Sequence, residues 1–254
     1  MNRILTFSSR NLKEILRDPL SYIFCLGFPL VMLVIMTIIN DSIPAEVPME
    51  IFHIENLSGG IAVFGLSFLM LFTTLSVSKD RAGSFLTRLY ASPMTSADFI
   101  AGYILPSLLL SVLQSVITFA TSLIINAIVG GEMSVVGSLL AVLVLIPGAV
   151  FFISAGLLFG SLFNEKAAPG LCSVIISLSA LLGGIWFDCE GTGGVLFDVC
   201  NAMPFFHCVK AARMAIAMQF DGIGIHLLIT TAYTVVFTLL SIVVFRSKMK
   251  ADLS

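Results

Sequence analysis

The chain has 254 residues, 58% of them apolar and only 11% charged, with a net charge of −2 and a mean hydropathy of +1.06. A water-soluble fold of this length cannot hide that much apolar surface, and a charge so near neutral gives no footing for nucleic acid. What remains is an all-α, polytopic membrane protein, with about six apolar runs of roughly the twenty residues that cross a bilayer's hydrocarbon core.

Residues 1–19 read as an amphipathic helix. In "MNRILTFSSRNLKEILRDP", Ile4, Leu5, Leu12, Ile15 and Leu16 fall on one helical face, and Arg3, Arg10, Lys13, Glu14 and Arg17 on the other. This is the pattern of a helix lying on the inner leaflet. The apolar run that follows is long enough to span, so it is expected to be retained rather than cleaved as a leader. Spans are predicted at 20–39, 61–77, 99–125, 135–163, 167–187 and 225–245. The fourth exceeds one perpendicular crossing, and Pro147 and Gly148 near its middle predict a kink.

With six spans both termini lie on one side. That side then carries Arg3, Arg10, Lys13, Arg17, Lys79, Arg81, Arg88, Lys166, Arg246, Lys248 and Lys250, leaving only Lys210 and Arg213 on the other. Eleven of thirteen basic residues on one side places that side in the cytoplasm, and the chain in the cell membrane. The first opposite loop, "NDSIPAEVPMEIFHIENLSGG", holds four acids and no Lys or Arg, in keeping with this orientation.

Inside the predicted spans the only ionisable side chain is His226, at an end. Proton- or ion-coupled transport needs such groups at depth and is disfavoured. Gln114 and scattered Ser and Thr are expected to hydrogen-bond between helices. There is no HExxH, no GxSxG and no GxxxxGK[ST], so neither hydrolysis nor nucleotide binding finds a motif. His53, His207 and His226 read as separate loop or interface histidines. No metal site or catalytic residue is expected. Cys189 and Cys200 lie in the last external loop, where an oxidising milieu leaves two readings, a disulfide or free thiols, with free thiols the default.

Between the second and third spans lies "KDRAGSFLTRLYASPMT", residues 79–95, with four charges in seventeen positions. Phe85, Leu86, Leu89 and Tyr90 share one helical face while Arg81 and Arg88 fall largely elsewhere, and Ser92 and Pro93 set the end. Taken alone, this reads equally as a loop helix resting on lipid headgroups or as a docking helix.

The order of these pieces resembles the membrane (permease) subunits of type-2 ATP-binding-cassette exporters. In that family the second and third spans are joined by a segment like "ERExGTLxRLLxSPxS" and then an apolar helix with an early Gly, a pattern matched here by Gly83, Ser84, Leu86, Arg88, Leu89, Ser92, Pro93, Thr95 and Gly102. The stretch "LLGGIWFDCEGTGGVLFDVCNAMPFFHCVKAAR" resembles the family's fifth span and external re-entrant segment, residues 188–222. Arg81 stands where the family commonly has an acid.

The resemblance implies one permease domain over residues 1–254 and a coupling helix at 79–95. That helix would dock on a cytoplasmic nucleotide-binding ATPase subunit, which would hold ATP and Mg; this chain would bind no cofactor itself. Phe85, Leu86, Leu89 and Tyr90 would anchor the contact, and Lys79, Asp80, Arg81 and Arg88 would set its charge complementarity. A second permease subunit, identical or similar, and membrane lipid complete the expected partners. "GLLFG" at 156–160, with Ser173 and Ser177, allows close helix packing.

The resemblance also places the second and fifth spans around a central path, so Phe64, Phe68 and Phe72, spaced by four, become candidate substrate contacts. The function expected is ATP-driven export of an amphiphilic or hydrophobic substrate, a drug or peptide first, a lipid or lipid-linked glycan next. The alternative is a non-transporting membrane scaffold, assembly or immunity factor.

Overall fold

A computed structural model describes residues 2–44, 50–83 and 94–251, and among these every regular element is helical. Helix α1 (Asn2–Arg17) ends at Asp18. There Asp18 caps the next helix, its carboxylate accepting from the Leu20 N–H (3.1 Å) and the Ser21 hydroxyl (2.7 Å), and Pro19 fills a first-turn position that needs no N–H donor. Helix α2 (Pro19–Ser42) follows, with one π-helical turn at Ile23–Gly27.

Helix α3 (Ile54–Ala82) is the axis of the bundle: 78% of its most apolar stretch is buried within the chain, against 22% for α2 and 11% for the last long helix. Helix α4 (Ser96–Val129) opens on a capping box between Thr95 and Asp98 and ends on Gly130 at φ 75°, the left-handed cap that glycine adopts without strain. Helix α5 (Val135–Leu162) is broken at Leu145, where Pro147 cannot donate to the preceding turn; the kink expected there is present.

Helix α6 (Ala168–Leu182) is shorter than the predicted span at 167–187. Its 15 residues reach about 22 Å, less than the roughly 30 Å hydrocarbon thickness. The chain then turns at Gly183 and Gly184 (φ 65°), and Ile185 is fully buried. Three short helices follow, α7 (Cys189–Thr192), α8 (Gly194–Ala202) and α9 (Pro204–Ile216), before the long α10 (Ile223–Ala251). Among the described residues five helices are thus long and apolar enough to cross a membrane, with α6 as a sixth, shorter apolar helix.

In an apolar solvent, helices gain little by hiding apolar faces from one another, so close backbone approach and interhelical hydrogen bonds do the holding. The glycines of GLLFG supply the approach between α5 and α3. A Cβ at Gly156 would lie 2.5 Å from the Met70 carbonyl oxygen, and one at Gly160 2.7 Å from that of Thr74. The motif therefore packs two helices of one chain together. Hydrogen bonds join α5 to α10, with Ser154 and Thr238 hydroxyls 2.8 Å apart and Ser241 donating to the Ser154 carbonyl (2.8 Å). Gln114, fully buried on α4, donates to the Ala62 carbonyl of α3 at 3.4 Å, the interhelical role its sequence position predicted.

Candidate functional site

Helix α3 is 29 residues long, about 44 Å, which exceeds a roughly 30 Å apolar layer, and its last turn carries Lys79, Asp80 and Arg81. The two cations suit a helix C-terminus, whose dipole is negative, whereas Asp80 opposes it. Asp80 is held by other partners. Its two carboxylate oxygens accept from Arg10 Nη1 and Nη2, both at 2.9 Å, and Oδ2 also accepts from the Tyr103 hydroxyl at 2.7 Å. Asp80 is only 7% exposed, so its carboxylate faces the bundle rather than solvent. Burial lowers the Arg10 pKa, but the bonded Asp80 carboxylate outweighs this and the guanidinium stays above its usual value. Arg10 also pairs with Glu14 at 2.6 Å.

Around this pair, α1 is seated on α4. The face of α1 turned to the bundle carries Phe7 and Asn11, both buried, while Leu5 and Leu16 are exposed. Phe7 and Asn11, spaced by four, make this contact, and exposed Leu5 and Leu16 belong to the apolar face expected to lie on the inner leaflet. Asn11 Nδ2 donates to the Gly102 carbonyl (3.1 Å), and the Phe7 ring sits where a Cβ at Gly102 would be 2.3 Å from its Cδ1. Phe7 meets Phe99 and Tyr103 edge-on, with centroids 5.5 and 5.0 Å apart. On the other side, Arg81 Nη1 donates to the Gly160 carbonyl at the end of α5 (3.0 Å). The last turn of α3 is therefore tied to α1, α4 and α5 together.

Of the predicted docking residues, Lys79, Asp80 and Arg81 belong to this last turn, Lys79 exposed and the other two engaged as above. Phe85, Leu86, Arg88, Leu89 and Tyr90 lie outside the described residues.

The aromatic stripe is brought together, but against α2. Phe68 stacks with Phe24 (5.9 Å between centroids) and meets Phe28 (5.6 Å); Phe64 meets Phe28 (5.8 Å) and Trp186 (5.5 Å). Phe64 and Phe68 are buried by these contacts, while half-buried Phe72 touches Phe24 (6.5 Å) and lines a cavity at the charged end of α3. Within one chain, two of the three rings thus fill the seam between α2 and α3.

At the opposite end of the bundle, Cys189 and Cys200 are free thiols buried with Phe206. His207 and His226, read from the sequence as separate, are in contact: their Nδ1 atoms are 2.7 Å apart and His207 Nε2 lies 2.8 Å from the Asn201 carbonyl. A carbonyl can only accept, so neutral His207 carries its proton on Nε2 and its Nδ1 accepts the hydrogen bond that His226 Nδ1–H donates. Arg213 Nε donates to the Asn56 carbonyl and its Nη2 to the Gly184 carbonyl, pinning α9 to the start of α3 and to the turn after α6. Among the described residues no group of three or more metal-ligating side chains occurs.

Comparison with known proteins agrees with this architecture. A family model described as "ABC-2 type transporter" matches residues 2–217. The chain is also similar to the protein of Bacillus subtilis (strain 168) named "Putative transport permease YvfS", at 22% identity over 242 residues, covering 95% of this chain and 96% of that protein.

Proposed function

The chain belongs to the ABC-2 type transporter family, as a multi-pass permease subunit rather than an enzyme, and from that premise we propose that it exports an amphiphilic or hydrophobic substrate from the cytoplasm. ATP, with Mg, is hydrolysed on a separate subunit, because this sequence has no GxxxxGK[ST] motif of its own. A drug or peptide is the first choice of cargo, with a lipid or lipid-linked glycan next. A second permease subunit completes the pathway, and the basic end of the bundle, with both termini, faces the cytoplasm.

One observation carries the reading of how energy enters. The last turn of α3 is tied to α1 through Asp80–Arg10, to α4 through Asp80–Tyr103 and to α5 through Arg81–Gly160. The next residues are the segment proposed to dock on the ATPase. A partner can do work on the spans only through a contact that differs between its open and closed states. A displacement of residues 84–93 would reach three helices at once through this turn.

The test is Leu89→Asp, which puts a charge into the proposed apolar docking contact. The variant is expected to insert normally, to lose copurification of the ATPase subunit and to lose ATP-driven transport in proteoliposomes. Undiminished copurification together with transport would refute the docking role.

A further inference from the structure

We propose that the cavity at the basic end of the bundle is a binding site for an amphiphile with a cationic head, entering from the inner leaflet. It rests on the transporter reading and its orientation, and it names the substrate class. The cavity is about 490 Å³, within the range of small-molecule sites, and lies between α1, the start of α2, α3 and α4.

Its lining changes character with depth. Leu69, Phe72 and Leu110 form the inner part. The outer part is charged: Glu14, Asp18, Asp80 and Glu165 carry four negative charges, and Arg17 and Lys79 carry two positive ones. From Leu69 to Lys79 is ten residues along α3, about 15 Å, or half of the roughly 30 Å hydrocarbon layer. An occupant whose tail lies along the spans and whose head sits at the membrane surface matches that length.

The sign of the head follows from the charge count. Four acids against two bases leave −2, and counting Arg10, which is bonded to Asp80 and Glu14, leaves −1. This mouth is acidic at an end of the protein where basic residues dominate. Basic pockets at that surface recruit anionic lipid headgroups, and this one has the reverse sign. A cationic head gains in the cavity what an anionic one would lose, and the apolar half accepts either tail.

The test measures binding without ATP or the partner subunit. Ser76 lines the cavity and is half-buried, so Ser76→Cys, with the native cysteines replaced, is reacted with a thiol reagent in nanodiscs of zwitterionic lipid. Dodecyltrimethylammonium is expected to slow the reaction in a saturable manner, and dodecyl sulfate of the same chain length is not. Exposed Glu165, on the turn between α5 and α6, is then changed to Lys. This is expected to weaken protection by the cation by roughly tenfold, while Glu165→Gln weakens it less and the melting temperature stays unchanged in both. Equal protection by the sulfate, or protection indifferent to the charge at 165, overturns the proposal. So does an introduced thiol that nanodisc lipid alone shields and that neither amphiphile affects. Because no ATPase is present, loss of amphiphile binding and loss of ATPase association are separate results, and either reading can fall without the other.

Discussion

Removing Arg10 is expected to harm the protein more than removing Arg10 and Asp80 together. The Asp80 side chain is 8% exposed and that of Arg10 30%, which places the pair between a surface ion pair, worth up to about 1 kcal/mol, and a buried one, whose disruption costs about 3–5 kcal/mol. Arg10→Ala strands the Asp80 carboxylate at a helix C-terminus with, among the described residues, only the Tyr103 hydroxyl as a donor, for a cost of roughly 2–3 kcal/mol. Asp80→Ala leaves Arg10 its bond to Glu14 and its access to solvent, and costs less, about 1–2 kcal/mol. In the double variant no stranded carboxylate remains. The two losses are then not additive, with a coupling energy of about 2–3 kcal/mol, larger than the Asp80→Ala loss itself. The assay is reversible unfolding in mixed micelles for the four proteins of the cycle. Spin labels at exposed Ser9 on α1 and Leu105 on α4 report whether α1 leaves its seat, and the distance distribution is expected to broaden in Arg10→Ala. Additivity within about 0.3–0.5 kcal/mol would show that the pair does not hold α1 to the bundle.

The other expectations concern orientation, the aromatic seam and the histidine pair. A cysteine at exposed Asp41, in a background without native cysteines, is expected to react with an impermeant reagent added to intact cells, whereas one at exposed Lys79 reacts only after permeabilisation; the reverse pattern would invert the topology. Phe68→Ala empties a site packed by Phe24 and Phe28 and is expected to cost about 3–5 kcal/mol and lower folded yield; a change in transport selectivity at normal yield would instead return this ring to the substrate path. Burial holds His207 below the usual imidazole range, outweighing its bond to the Asn201 carbonyl. The unfolded chain then takes up a proton more readily, so stability from this group is complete above about pH 6.5 and is lost as pH falls toward the depressed native value. Unfolding midpoints measured from pH 7.5 to 5 are expected to fall for the wild type and to fall less for His207→Gln.

The spans were legible because the bilayer imposes a length, and a run of about twenty apolar residues has few other uses. The same signal overran at α6. Ile185, Trp186 and Phe187 continue the apolar composition of 167–182, but they do so because Ile185 is fully buried and Trp186 packs on Phe64. Hydropathy does not distinguish a residue facing lipid from one facing the protein core. GLLFG announced a close approach without naming its partner, which proved to be α3 of the same chain.

What stayed hidden at the charged end is a matter of sequence distance. Arg10 and Asp80 are 70 residues apart, and His207 and His226 are 19. Helical periodicity reports which residues share a face, not what that face meets. On α1, the Gly102 carbonyl that satisfies Asn11 lies 91 residues away. One signal was available: a lone acid in the last turn of a helix, flanked by Lys79 and Arg81, works against the helix dipole and so calls for a cation from elsewhere.

Asp80 belongs both to the tie that holds α1, α3 and α4 together and to the mouth of the amphiphile cavity. That double membership gives the proposed cycle a physical link. If docking at residues 84–93 turns the end of α3, Asp80 cannot keep both Arg10 bonds and the Tyr103 bond unless α1 and α4 follow. Should they lag, a carboxylate neutralised by Arg10 becomes partly uncompensated at the cavity mouth, and the pull on a cationic head increases. Should they follow, the walls of the cavity move together and its volume changes. In either case the proposed amphiphile site and the proposed ATPase docking segment are joined by one hydrogen-bonded turn, so if both bind, by linkage the factor by which one alters the affinity for the other must act equally in reverse.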